Sequence, residues 1–591
     1  MNRQVSLRLS ALVAALAIHT LVDAQVSTPP TAVGPKGEVA NAELIAHSAQ
    51  FARRTYKVAD GVHTVVGYGL ANATVIEGRT GLIVVDTGDS IQMAKEQLEQ
   101  IRKVSDKPVR AVIYSHNHYA LGAQAYVNEG GGQPVQFIAH PKLLPNMANQ
   151  VADTGPAFLR NAMMQFGVLL PPKGPDAMPN MGVGPFLIDL SHGVPQPAFV
   201  PPTRTVNDGE ELSIDGVTLL FLWTPSDTDD TIAIYLPQRK VLVSNLIWPA
   251  FFNVHTLRGD RFRDPQTILP GLRRVMALDA EANAGVHGAP IMGREAVRRA
   301  ATAWHDGLQF VYDQTVRGIN RGRSPDDLAR EVKLPASIAG VPAVREFYGE
   351  LPFHVRQVYS GLLGWWGGDM ADAHRLHRTD EAARLIELVG GADKVEAAAR
   401  AAFAKGDTAN VQWAAQLATY LVATQPTNAA WRQFKADTLR KLGQTTTAAT
   451  TRNWYISQAL QLEGKIDPFK LPFSLVSENQ VLGSPPITFV NALRFQLDPA
   501  SQGPDTSLVL RFTDIGKAYR LQLRNSIVEV TDADAAPADL TLAMTFKTWA
   551  GWIVGKVQLP AALASGEVKL EGSPERLNQT LSRFDFARAG K

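Results

Sequence analysis

The stretch Val109-Arg110-Ala111-Val112-Ile113-Tyr114-Ser115-His116-Asn117-His118 decides how the first half of the chain is read. Val109 to Tyr114 is a short, largely apolar and β-branched run, the composition of a strand covered on both faces. Two histidines one residue apart follow it at once, and at the mouth of a strand both imidazoles can turn toward one ion. A pair of surface loop histidines has the same spacing, so the reading of His116 and His118 as ligands depends on what surrounds them.

Upstream, short β-branched runs alternate with turns: Val62 to Val66, Ala73 to Glu77, and Leu82 to Val85 leading into Asp86-Thr87-Gly88. A helix is expected from Ile91 to Val104. Downstream, strands are expected at Val217 to Trp223, Thr231 to Leu236 and Val241 to Ser244. Such alternation predicts an α/β domain whose site lies in loops at strand ends. The Pro/Gly/Met-rich stretch Pro171 to Pro185 reads as a long loop, a feature that more often covers a site than merely connects elements.

After about Asp372 the texture becomes Ala-rich and helical. Helices are expected at Asp380 to Leu388, Asp393 to Lys405, Asn410 to Thr424, Ala429 to Leu442 and Ala448 to Gln461, with Gly390, Gly406, Pro426, Gly443 and Gly464 as stops. From Lys470 the pattern turns to period-two strands, Ala518 to Leu523 and Ser526 to Thr531, with helices around Phe546 and Leu577, a small α+β region.

The chain has 591 residues, more than one core of roughly 250–300 residues accommodates, so several domains are expected. Its 58 basic and 56 acidic residues nearly balance and form no long run of one sign, which argues against a nucleic-acid groove or a polybasic membrane patch. There is no cysteine, so disulfides and thiolate metal sites are excluded and any zinc must be held by His, Asp or Glu. Arg3 and Arg8, the apolar stretch Leu9 to Ile18 and the sequence Val22-Asp23-Ala24 predict a secretory signal cleaved after about Ala24. A secreted or periplasmic protein without stable membrane insertion is the expectation, the apolar stretch being shorter than the ~20 residues that span a bilayer.

The order Asp86-Thr87-Gly88, helix, strand, His116-x-His118 resembles the metallo-β-lactamase superfamily, in which a strand ending in Asp-Thr-Gly precedes a His-x-His-x-Asp-His loop. Thr224-Pro225-Ser226-Asp227-Thr228 is similar to the family's Thr-Pro-Gly-His-Thr segment, with Asp227 at the ligand position, which in alkylsulfatases is a carboxylate. Gly285-Val286-His287-Gly288-Ala289-Pro290 resembles the stretch holding the last metal histidine. The chain departs from the pattern at Ala120 and Leu121, where the Asp and His of the second metal would stand, and at Asn245-Leu246-Ile247, where a bridging carboxylate is expected. One zinc ion is therefore expected, held by His116, His118 and Asp227, with the second position empty. Two histidines and one carboxylate leave a coordination position open for water, whose pKa zinc lowers toward ~7 for attack as hydroxide. His287, freed from a second ion, is expected to act in acid–base chemistry or to join the first ion, and Tyr119 to stabilise or protonate the leaving oxygen. Asp229 and Asp230 are either orienters of a ligand histidine or solvated turn carboxylates.

Across nearly the whole mature chain the layout looks like that of the alkylsulfatases. Leu257-Arg258-Gly259, Tyr312-Asp313-Gln314-Thr315, Phe347-Tyr348-Gly349, Leu363-Gly364-Trp365-Trp366 and Arg452-Asn453-Trp454-Tyr455 carry that resemblance. It implies an αββα metallo-β-lactamase sandwich over residues 25–372, an all-α dimerisation domain over 373–466 and a sterol-carrier-like α+β domain over 467–591, after a signal peptide over 1–24. It also implies a homodimer and a small amphiphilic ester as substrate. Asn245 to Phe252 is more apolar than the family's sulfate-facing stretch, which places Trp248 and Phe252 at the substrate and suits a carboxylic ester or lactone, the alternative substrate, better than the sulfate ester that the resemblance favours. Arg258, Arg263, His354 and Arg356 are the anion partners available, or ordinary structural charges. Trp549, Trp552 and Ile553 belong either to an apolar tunnel or to a packed core. A third reading is a lipid-binding relative without catalysis.

Overall fold

The computed structural model describes residues 29–190, 193, 196, 198–470 and 477–585; the expected signal peptide lies outside them. Among the described residues a seven-stranded sheet runs, in spatial order, Arg54–Ala59, Val62–Val66, Ala73–Glu77, Leu82–Val85, Val109–Ile113, Gln136–Ala139 and Arg204–Thr205. Its first strands pair antiparallel; from Leu82–Val85 onward the pairing is parallel. A six-stranded sheet follows, Glu211–Ile214, Val217–Trp223, Ile232–Leu236, Val241–Ser244, Ala282–Gly285 and Ile291–Met292, with Val241–Ser244 and Ala282–Gly285 parallel.

Successive side chains of a strand point to opposite faces, and here both faces are covered. Ile76, Ile83 and Ile113 of the first sheet meet Phe221, Ile234 and Val243 of the second in one buried cluster. On the far side of the first sheet Val75, Val84 and Val112 pack on Ala94 and Ile101 of the helix Ile91–Arg102. On the far side of the second, Leu222 and Leu242 pack with Ile268, Leu272 and Trp304 of the helices Pro265–Met276 and Arg294–Ile319. The result is an αββα sandwich.

The helical region comprises Arg378–Val389, Ala392–Lys405, Thr408–Thr424, Ala429–Thr445 and Ala449–Leu462. Gly390 and Gly406 end the first two in the left-handed conformation, φ 94° and 79°. Gly443 does not stop its helix: it lies within Ala429–Thr445, where an added Cβ would come within 3.0–3.2 Å of Tyr455 and Ile456. Its small size lets the last two helices approach.

The C-terminal region has a five-stranded sheet in the order Ile527–Asp532, Lys517–Arg524, Thr506–Phe512, Leu540–Met544, Lys569–Glu571. Trp549 is fully buried in its core with Phe512 and Phe546, and Trp552 and Ile553 pack against that core. These residues are core, not tunnel wall. No helix among the described residues is long and apolar enough to cross a membrane.

Candidate metal centre and substrate pocket

The loop after Val109–Ile113 is held to its neighbour strand by backbone and side-chain bonds. Asp86, in the left-handed conformation at φ 64°, accepts the Ser115 N–H on Oδ1 at 2.8 Å; Thr87 N donates to Tyr119 O and Leu121 N to Gly88 O. His116 and His118 then project from a turn whose course is fixed on both sides. The second sheet adds Asp227 from the turn between Val217–Trp223 and Ile232–Leu236, a turn closed by Thr224 N to Thr231 O and Ser226 N to Thr228 O.

These residues converge. Asp227 Oδ2 lies 3.0 Å from His118 Nδ1 and 3.7 Å from His116 Nε2, and one donor atom from each of the three falls within 4.8 Å of the others. Burial disfavours the Asp227 carboxylate, yet the two imidazoles hold its pKa well below the ordinary carboxylate range. Burial likewise works against the charged form of both histidines. At His116 the Asp227 carboxylate outweighs it and raises the pKa; at His118 burial prevails and lowers it. Two imidazole nitrogens and one carboxylate oxygen form the donor set of a zinc site with three protein ligands, and the residues fit that ion.

Asn245, fully buried, follows the strand Val241–Ser244. Its Nδ2 donates to Asp227 Oδ1 at 2.7 Å, and its Oδ1 accepts from Trp248 Nε1 at 3.0 Å. His287 approaches from beyond Ala282–Gly285. Its Nδ1 is 2.9 Å from Leu70 O and its Nε2 3.4 Å from Tyr119 Oη. Asn72 Nδ2 secures that loop by donating to Gly285 O and Gly288 O at 2.9 and 2.7 Å. Burial pushes the His287 pKa down to about 4 and that of Tyr119 well above the ordinary phenol value.

A cavity of about 420 Å³ opens on this centre. Tyr119, Trp248, Arg258, Arg263 and His287 share its wall with His118 and Asp227, while Leu70, Leu121, Phe158, Leu159, Val183 and Leu187 make the rest largely apolar. Val183 comes from the Pro/Gly/Met-rich loop, which thus covers the site. Arg258 and Arg263 both reach Asp260 Oδ2, at 3.2 and 2.9 Å, so two buried guanidiniums share one carboxylate. Neither Nε has a protein hydrogen-bond partner.

Phe252 and His354 are not in this wall. Phe252 packs behind it, its ring 5.2 Å from those of both Trp248 and Trp304. His354 is fully buried against Phe251, neither ring nitrogen finds a partner, and burial lowers its pKa to about 3, so it offers substrate no charge. Arg356 forms a surface pair with Asp326. Asp229 pairs with Lys142 and Asn146, and Asp230 accepts from Asn146, so their partners lie on another element than the ligand histidines. Sequence reasoning missed Asn72, the Leu70 carbonyl and Gln480, which lines the cavity from the C-terminal region. Only Asn72 left a sign, a polar side chain at the head of an apolar strand.

Residues 66–120 match the model of the metallo-β-lactamase superfamily, 324–465 that of alkyl sulfatase dimerisation and 474–589 that of the alkyl sulfatase C-terminal region. A linear primary-alkylsulfatase from a Pseudomonas species is 35% identical over 530 residues, covering 87% of this chain and 98% of the relative. An alkyl/aryl-sulfatase of Saccharomyces cerevisiae is 28% identical over 543 residues, covering 90% of this chain and 80% of the relative. The solved structure of a stereoselective inverting sec-alkylsulfatase from Pseudomonas superposes with a TM-score of 0.82 at 26% identity, covering 96% of this chain and 94% of that one. By its αββα sandwich, its dimerisation and C-terminal regions and its extended identity to a relative matched almost end to end, this chain belongs to the alkylsulfatase family, the sulfuric ester hydrolases built on the metallo-β-lactamase fold.

Proposed function

We propose that the chain hydrolyses sulfuric esters of amphiphilic alcohols at a single zinc ion held by His116, His118 and Asp227. The observation that carries this reading is the pair Arg258 and Arg263 around the single carboxylate of Asp260, in the wall of a mostly apolar cavity beside the metal ligands. Two guanidiniums and one carboxylate leave one positive charge uncompensated, which suits a sulfate group and has no counterpart in a neutral carboxylic ester or lactone. The apolar wall takes the alkyl chain.

Zinc bound to this donor set supplies a water activated for attack near neutral pH. The chain's own groups do the rest. Arg258 and Arg263 hold the sulfate, and Tyr119, kept protonated by burial, directs Oη toward the departing alcohol oxygen. His287 Nε2 accepts that hydroxyl proton at rest, and the hydroxyl turns from the imidazole onto the alcohol oxygen as the latter departs. The water oxygen bonds to sulfur as the S–O bond to the alkyl oxygen breaks; the electron pair stays with the alkyl oxygen, which takes the Tyr119 proton, one of the two water protons restores the phenol, and the other leaves to solvent, giving alcohol, sulfate and one proton.

Several contacts support one ion over two. Ala120 and Leu121 carry no donor, Leu121 lines the cavity, Asn245 turns its amide nitrogen toward Asp227, and His287 has both nitrogens engaged by Leu70 and Tyr119. The dimerisation-region match supports a homodimer. The N-terminal arginines, apolar stretch and Ala24 support export to the periplasm or medium.

The test is sulfate release from medium-chain alkyl sulfates, set against hydrolysis of matched carboxylic esters, by wild type and Arg258→Met, with zinc counted per chain. Sulfate release that drops about 100-fold in the variant, with one zinc per chain, is expected. Preference for the carboxylic ester would replace this reading by an esterase or lactonase, and absence of bound metal by a lipid-binding relative without catalysis.

A further inference from the structure

We infer that Asn245 is a positioning residue that makes Asp227 a one-oxygen ligand of the metal and keeps the centre mononuclear; this rests on the single-zinc reading above. The direction of the Asn245 side chain is not a matter of choice. An indole N–H only donates, so the atom 3.0 Å from Trp248 Nε1 is the amide oxygen and the opposite atom is the amide nitrogen. That nitrogen meets Asp227 Oδ1 at 2.7 Å, with Ser226 Oγ at 3.1 Å and His116 Nε2 at 3.3 Å. Ser226 Oγ also donates to Asp227 Oδ1 at 3.0 Å.

Asp227 therefore has one oxygen taken up by two donors and the other, Oδ2, facing the two histidines. An outer partner that binds one carboxylate oxygen fixes which oxygen the ion receives, and loss of such a partner typically costs about 10- to 100-fold in metal affinity. The same amide presents N–H where a bridging carboxylate would present oxygen. It adds no negative charge and no acceptor on the side of a second ion, where Ala120 and Leu121 offer none either.

The side chain is separable from the fold. Trp248 Nε1 also reaches the backbone carbonyl of residue 245 at 3.1 Å, an acceptor that every substitution retains. Asn245→Leu thus keeps the branched shape and a partner for the indole, and removes the amide donor that meets Asp227, Ser226 and His116. Asn245→Asp keeps the shape and the acceptor for Trp248 but sets a second carboxylate against Asp227 Oδ1.

The experiment is zinc affinity of the full chain, measured by competition with a chromophoric chelator, for wild type, Asn245→Leu and Asn245→Asp, with thermal unfolding of the zinc-free proteins alongside. Asn245→Leu is expected to bind zinc 10- to 100-fold more weakly, in the range seen when outer partners of metal ligands are lost. Asn245→Asp is expected to bind about tenfold more tightly, because it sets a second negative charge beside the ion. A residue that merely supports the fold would lower the zinc-free melting temperature and shift affinity in the same direction in both variants. Equal affinity in all three proteins, or a shift of one sign in both variants, overturns the role of Asn245 and leaves the zinc reading standing. A wild-type chain that takes up no zinc overturns both. If Asn245→Leu does not fold, the sign of the Asn245→Asp shift still decides, tighter binding supporting the role and unchanged or weaker binding overturning it.

Discussion

Tyr119 Oη lies 3.4 Å from His287 Nε2, while Nδ1 of the same ring is 2.9 Å from the Leu70 carbonyl. A carbonyl only accepts, so Nδ1 carries the proton and Nε2 turns its lone pair to the phenol. With its pKa pushed down to about 4, the imidazole is neutral over the range in which a zinc hydrolase works. The two side chains form a hydrogen-bonded pair beside the candidate metal centre.

His287→Ala is accordingly expected to lower kcat by 10²- to 10⁴-fold, the usual contribution of a positioned proton-handling group, while leaving zinc content unchanged. Tyr119→Phe falls in the same range. Because the residues act as a unit, the double variant loses little more than the worse single one. Steady-state kinetics with metal analysis on the same samples check this. Loss of zinc in His287→Ala would make the histidine a ligand.

The buried titratable groups give stability a pH dependence of two signs. His354 has a folded pKa lowered from 6.5 to about 3, so the folded state binds fewer protons than the unfolded chain between those values, and stability falls as pH drops through that window. His354→Leu, which gives up no hydrogen bond, should be less sensitive to acid than wild type, by roughly 2 kcal/mol at pH 5. Asp86 is the opposite case. Its folded pKa is raised from 3.8 to about 6 by burial, so its contribution is present below 3.8 and lost as pH rises through 6. Asp86→Asn keeps an acceptor for Ser115 N–H and a residue that tolerates the left-handed backbone, and is expected to gain up to roughly 3 kcal/mol over wild type at pH 8. Urea unfolding of the zinc-free proteins at pH 5 and pH 8 measures both. A wild-type difference that neither substitution reduces would assign the pH dependence elsewhere.

The strands were legible because strands covered on both faces leave an unbroken apolar run, as in Leu82 to Val85 and Val109 to Ile113. That His116, His118 and Asp227 come together was legible because short motifs at strand ends hold them. What surrounds the ligands was not. Asn72 reaches Gly285 and Gly288 across more than 200 positions, and only the packing of one sheet on the other brings them together. Phe252 was placed at the substrate by the resemblance and His354 as an available anion partner, but a segment that sends Trp248 to the cavity turns Phe252 into the core behind it, and His354 is buried against Phe251. Gly443 resembled a helix stop because glycine serves both left-handed caps and close helix contacts, and only the neighbouring helix distinguishes the two.

The cavity makes chain length readable by single substitutions. Leu159 lies on the helix Gly155–Gln165 and contributes to the apolar wall of the cavity of about 420 Å³. Each methylene that moves from water into such a wall gains ~0.8 kcal/mol, so kcat/KM for a series of primary alkyl sulfates should rise about fourfold per carbon until the cavity is filled, and then level off. Leu159→Trp shortens the space and is expected to move that plateau to shorter chains, while short substrates lose little. Leu159→Ala enlarges the space and should move it the other way. Measuring kcat/KM across the series for the three proteins separates a cavity that holds the alkyl chain from one that does not. If both variants lower every substrate by one common factor, the chain is held elsewhere and Leu159 serves only the packing of its helix.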